Sequence, residues 1–169
     1  MDVRQVGVYQ ITSCRSGKLG AVTDDDYMTE ALTQAQTGNT MFGAVLVRDG
    51  IEAAAYNTMA ATHDPSAHAE LNLIRDYCKA QKLASLGGYT LYTTAEPCPM
   101  CAALISFTGV SEVVFGVYVK DLADLGMPQI ELSCEAVVSR GPSAVSVRGG
   151  VLWAACLEHC RTLAEQGTP

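Results

Sequence analysis

The amino-acid sequence predicts one α/β domain in which a single mixed sheet is covered by helices. Its apolar residues fall in short blocks that read strand, strand, helix, strand, helix, strand, an alternation that builds a layered sheet. The 169-residue length suits one domain with a real core and is too short to expect two. The chain is 49% apolar, and no internal repeat, low-complexity tract or linker divides it.

Each element has a local cause. Residues 1–23 read as an N-terminal extension ahead of a domain spanning 24–169; within the extension Val6 to Ile11 alternates like a short strand before Ser16-Gly17-Lys18 breaks the pattern. Asp24, Asp25 and Asp26 place negative charge where a helix start favours it, and Tyr27, Met28, Ala31, Leu32 and Ala35 supply an apolar stripe ended by Gly38. Phe42–Val47 and Ile51–Tyr56 flank Arg48-Asp49-Gly50, a hairpin signal. A polar loop, 57–64, leads to Pro65, and Ser66 is placed to cap a helix whose buried face is Leu71, Ile74, Tyr77 and Cys78. Tyr89–Thr94 is rich in β-formers. Pro97 then suits the first turn of a helix that continues through Phe107 and stops at Gly109. Val113–Val117 is the continuous apolar run of a buried strand. Beyond Asp121 the pattern weakens: 130–138 and 144–147 fit strand or helix, with Gly141-Pro142 as a turn between them. Gly149-Gly150 precedes a last helix with Val151, Leu152, Ala155, Leu157 and Leu163 as its apolar residues.

Charge and cysteine usage narrow the function. Eighteen acidic residues against 11 basic ones give a net charge of -7, which disfavours nucleic acid as a partner. Seven cysteines, an odd number with one motif-like pair, fit reduced thiols better than a disulfide framework. No run approaches the ~20 apolar residues that a membrane span needs, and Met1-Asp2-Val3-Arg4 does not open a basic-then-apolar leader. The expectation is a cytoplasmic protein with no membrane partner.

Chemistry concentrates in two stretches, Pro65-Ser66-Ala67-His68-Ala69-Glu70 and Glu96-Pro97-Cys98-Pro99-Met100-Cys101. One His and two Cys supply three zinc ligands, His68, Cys98 and Cys101, and three protein ligands leave a fourth position for water, as catalytic zinc sites do. Cysteines at a helix start ionise more easily, because the dipole and free N–H groups favour negative charge. Glu70, two residues beyond the His, is close enough to take a proton from that water and pass it on, without itself binding metal. A lone Cys-x-x-Cys is often a structural knuckle or redox pair. The preceding His-x-Glu, with a strand between, makes the catalytic reading the stronger one. Cys156, His159 and Cys160 imitate a second site but lack a visible fourth ligand; Cys14, Cys78 and Cys134 read as small, buried or partly buried side chains. Glu96 reads as a charge that favours the helix start.

His-x-Glu followed by Pro-Cys-x-x-Cys resembles the signature of zinc-dependent nucleobase deaminases, and from about Asp24 onward the chain resembles the cytidine-deaminase-like superfamily. That resemblance implies a three-layer α/β/α sandwich around a mixed five-stranded sheet, zinc as cofactor and a homodimer. Within it, Asn57 with Asp64-Pro65-Ser66-Ala67-His68-Ala69-Glu70 looks like the substrate loop and metal helix of bacterial guanine deaminases and tRNA adenosine deaminases. Glu-Pro-Cys-Pro-Met-Cys and Gly116–Asp121 are more similar to the guanine enzymes. The resemblance implies that Asn57 holds the base, that the backbone N–H of Ala67 and the Cys98 region face its carbonyl-like edge, and that Asp121 reads its donors, with Glu131 or Glu135 as substitutes. The implied activity is hydrolytic deamination of a nucleobase or base-like heterocycle, guanine first, by zinc-activated hydroxide with Glu70 as proton shuttle. Alternatives are a nucleoside, cytosine or triazine substrate, adenosine in tRNA, and a non-catalytic zinc domain kept for assembly.

Overall fold

The computed structural model describes residues 21–167 and the backbone of one short strand, β1 (Val8–Tyr9). Apart from β1 and 21–23, the expected extension over 1–23, with Cys14, lies outside the described residues. The first helix, α1 (Asp24–Thr37), begins with a reciprocal cap: the Asp26 N–H donates to the Thr23 hydroxyl, and the Thr23 N–H donates to the Asp26 carboxylate at 3.0 Å. A hairpin of β2 (Gly43–Val47) and β3 (Ile51–Tyr56) follows, turning at Gly50. A single helical turn, α2 (Met59–Thr62), breaks the loop expected over 57–64. Then come α3 (Ala69–Gln81), β4 (Thr90–Ala95), α4 (Pro99–Thr108) and β5 (Glu112–Val117). The ambiguous region resolves into α5 (Val119–Asp124), α6 (Cys134–Val138) and β6 (Ser146–Arg148), so 134–138 is helix and 146–148 is strand. The last helix is α7 (Trp153–Glu165).

The strands form one mixed sheet in the order β1-β3-β2-β4-β5-β6. The five expected strands are β2 to β6; the two residues of β1 add a sixth, antiparallel to β3 at the edge. β2 is antiparallel to both β3 and β4, whereas β4, β5 and β6 are mutually parallel. Strand alternation gives the sheet two apolar faces. Ala44, Leu46, Leu91 and Val113 pack against α3, α4 and α6 on one side, while Val45, Ala54, Tyr92 and Val114 pack against α1 and α7 on the other. This is the expected three-layer sandwich, and it explains why β2 is buried at every position.

The contact between α1 and β2 depends on a missing side chain. A β-carbon at Gly43 would overlap the backbone of Ala31 and Ala35, so glycine lets the helix lie directly on the strand. At α7 Leu163 is buried as expected, but Cys156 and Cys160 complete the inward face, Ala155 is exposed, and Val151 and Leu152 precede the helix. Cysteine packs here as a small apolar residue.

Candidate metal centre

Two parallel strands deliver the two halves of the site to one place. Because β3 and β4 both run antiparallel to β2, they end at the same side of the sheet; β4 leads directly into α4 and β3 leads through α2 to α3, and α3 and α4 carry the ligands at their starts. His68 is the residue flanking α3, in extended conformation, and Glu70 lies in that helix's first turn. Cys98 takes the same position before α4, and Cys101 falls within its first turn. Both helices begin later than the sequence suggests. Asp64 captures the N–H and hydroxyl of Ser66 at 2.8 and 2.7 Å, so Ser66 belongs to a turn and His68 opens the helix. Pro99, rather than Pro97, is the first helical residue of α4.

The ligand atoms form a nearly regular triangle. The sulfurs of Cys98 and Cys101 are 3.7 Å apart, and His68 Nδ1 lies 3.6 Å from the first and 3.5 Å from the second. A tetrahedral zinc with bonds of ~2.3 Å to sulfur and ~2.05 Å to nitrogen would set these separations at about 3.8 and 3.6 Å. The donor set therefore fits zinc in identity and spacing, and it is the one such cluster among the described residues. Cys156, His159 and Cys160 do not assemble a second. The two cysteines are fully buried and His159 Nε2 lies 2.9 Å from the Thr40 carbonyl oxygen.

Electrostatics separate these thiols from the rest. Burial alone pushes Cys156 up to about 11, and burial with nearby negative charge pushes Cys134 and Cys160 up to about 12. Cys98, by contrast, is lowered to about 4, chiefly by its contact with the Cys101 thiol and further by His68, against the cost of burial. Cys101 is raised by the same contact and by burial. His68 is raised by its contact with Cys98. Glu70, 5% exposed, has its carboxyl raised by desolvation, and one oxygen lies 3.7 Å from the Cys101 sulfur.

The remaining expected residues have other occupations. Asn57 follows β3 and its side-chain oxygen accepts the Met59 N–H at 2.8 Å; its amide nitrogen meets the Met59 sulfur at 3.6 Å. The Ala67 N–H donates to the Asp64 carbonyl at 3.1 Å, and the Ala67 carbonyl accepts from Thr58. Asp121 sits at the start of α5, where one carboxylate oxygen accepts both the Tyr118 N–H at 3.0 Å and the Trp153 indole N–H at 2.8 Å. Its role here is a helix cap and a tie to α7. Glu131 and Glu135 are exposed.

Two residues escaped the sequence reading. Asn72, 6% exposed, donates from its amide to the Tyr56 carbonyl, the Thr58 hydroxyl and the Ala67 carbonyl, clasping the 56–67 loop to α3. Glu96, expected only to favour a helix start, is buried, and its two oxygens accept backbone N–H groups from Val119 and Cys134. A polar residue at a core-facing helical position was the available signal for Asn72. For Glu96 there was none.

A three-layer fold with a zinc-shaped His-Cys-Cys triangle and a buried carboxyl beside it defines a class of zinc-dependent deaminase domains. The model of the cytidine and deoxycytidylate deaminase zinc-binding region matches residues 21–117, more than half of the chain, and the chain belongs to that family. Among relatives, the tRNA-specific adenosine deaminase of Bacillus subtilis is 43% identical over 100 residues, covering 56% of this chain and 62% of that protein. The guanine deaminase of the same organism is 41% identical over 86 residues, covering 50% of this chain and 55% of its own. The matches thus span less than two thirds of these relatives. A solved structure from work on A-to-I editing by tRNA:A34 deaminases superposes with a TM-score of 0.67 at 31% identity, over 79% of this chain and 97% of that one. Guanine deaminase from Nitrosomonas europaea superposes with a TM-score of 0.75 over 86% of each chain at 21% identity, a likeness of fold.

Proposed function

We propose that the protein hydrolyses the exocyclic amine of a purine-type base, replacing it with oxygen and releasing ammonia. The observation that carries this reading is the buried Glu70 carboxyl at the edge of a three-ligand zinc triangle. Zinc, when bound, lowers the pKa of a water to near neutrality and so supplies the nucleophile. His68, Cys98 and Cys101 would hold it. Glu70 takes the water's first proton and delivers it to the ring nitrogen as the C–O bond forms; it then takes the second, from the hydroxyl now on the ring carbon, and gives it to the leaving amine, so that the C=O bond forms as the C–N bond breaks. Desolvation, which raises its affinity for a proton, suits it to both directions. Asn57, on the loop clasped by Asn72, is assigned to the base through its amide nitrogen, whose contact is the Met59 sulfur at 3.6 Å; the Ala67 N–H, which donates to the Asp64 carbonyl, is not assigned. Asp121 is not assigned to substrate, because its carboxylate already caps α5 and binds Trp153.

Free guanine is the first candidate because the net charge of -7 gives little purchase on phosphates. The charge argument no longer excludes nucleic acid, since relatives named for tRNA are at least as similar. Adenosine in tRNA is therefore the second reading, and Arg75 and Lys79 of α3 are exposed, as is Lys82 just beyond its end. Ammonia release by zinc-loaded protein would be measured on guanine, adenine, cytosine, their nucleosides and tRNA, with Glu70→Ala as the blank. Turnover of a free base that vanishes in the variant supports the first reading. Turnover confined to tRNA, with binding that weakens steeply as salt rises, supports the second. A folded, zinc-loaded protein inert on the whole panel would overturn the deaminase reading.

A further inference from the structure

Glu96 leaves the chain two residues before Cys98, and its carboxyl is 8% exposed. One oxygen accepts the Val119 N–H at 3.0 Å and the other the Cys134 N–H at 2.9 Å. Val119 and Cys134 are the first residues of α5 and α6. Those N–H groups have no partner within their own helices, and each helix start carries partial positive charge, so one acid side chain caps two helices at once. Its main chain adds a third tie, from the Glu96 N–H to the Val117 carbonyl at 2.8 Å. The α6 end of that segment borders the metal centre: Cys134 and Val138 pack in one cluster with Ala102 and Ile105 of α4, the helix whose first turn carries Cys101.

We propose that Glu96 is a positioning residue that registers the 119–138 segment, the wall beside the metal centre, against the Cys98 loop. The two parts are distant in sequence, and both contacts converge on a single carboxyl. On the deaminase reading, its loss weakens the hold on the base more than the chemical step.

The test compares Glu96→Gln and Glu96→Asp in the full-length, zinc-loaded protein. Glutamine keeps one accepting oxygen and puts an amide NH2, a donor, where the other stood; aspartate keeps both acceptors but withdraws them by one methylene. Backbone amide exchange followed by NMR should show one of Val119 and Cys134 losing about ten- to a hundredfold in protection in Glu96→Gln, the loss expected for a buried hydrogen bond to a charged group. The Ala102 amide, which donates to the Cys98 carbonyl, should stay as protected as in the parent. Glu96→Asp should recover part of the lost protection. Zinc stoichiometry should remain at the parent value, and KM should rise about tenfold with kcat within about threefold. Unchanged protection of both amides in Glu96→Gln, or a fall in kcat accompanied by zinc loss, would overturn the proposal. The kinetic arm rests on the deaminase reading and the exchange arm does not, so a parent protein without turnover would sink that reading while the amides still decide the role of Glu96.

Discussion

Replacing Asn72 by leucine isolates the clasp between the 56–67 loop and α3. The Asn72 amide nitrogen lies 3.1 Å from the Tyr56 carbonyl, 3.0 Å from the Thr58 hydroxyl and 3.2 Å from the Ala67 carbonyl, so two hydrogens serve three acceptors. Leucine matches its volume but donates nothing. The Ala67 carbonyl keeps the Thr58 N–H at 2.9 Å. The loss is then two hydrogen bonds at about 1 kcal/mol each plus about 1 kcal/mol for a buried acceptor left unpaired. Apolar burial of the leucine methyls returns about 1 kcal/mol, leaving a net cost of about 2 kcal/mol. For a domain of this size that lowers Tm by roughly 4–8 °C. Thermal and urea denaturation would be run at one saturating zinc concentration for both proteins, because ligand binding otherwise shifts the comparison. A Tm within about 1 °C of the parent would refute the reasoning. So would a loss of stability that disappears when zinc is raised, since it would place the effect at the metal.

Gly43→Ala should destabilise by about 3 kcal/mol or more, read as a drop in the urea midpoint at constant slope, because the new methyl meets the α1 backbone rather than a movable side chain. Retention of parent stability would mean that α1 can ride off β2. The Asp24 carboxyl is held below its ordinary value of 3.8 by hydrogen bonds from Arg148 and from Tyr92. A depressed folded pKa means that the group contributes stability above 3.8 and loses it as pH falls through the lower folded value. Asp24→Asn should therefore differ from the parent most at pH values above 3.8 and converge with it as pH falls below that value, in urea titrations across pH. The difference should be small and shrink in 1 M salt, since Asp24 is 39% exposed. A gap that widens toward acid would contradict the assignment.

Local spacing made the ligand set readable before any fold was known. His68 and Glu70 are two residues apart and Cys98 and Cys101 three, and each pair sits at one helix start, where short-range geometry alone directs the side chains together. The hairpin, the buried run of β5 and the amphipathic α3 were readable for the same reason: turn residues and periodic burial are properties of neighbours in sequence. Only the tertiary structure decided what brings the two ligand pairs to one point, the common direction of β3 and β4 on either side of β2. It also turned Cys156 and Cys160 into core packing, gave Asp121 to Tyr118 and Trp153, and gave Glu96 to amides 23 and 38 residues away. A side chain with several attractive uses takes the partner that folding brings within reach, and separation along the chain carries no record of which partner that will be.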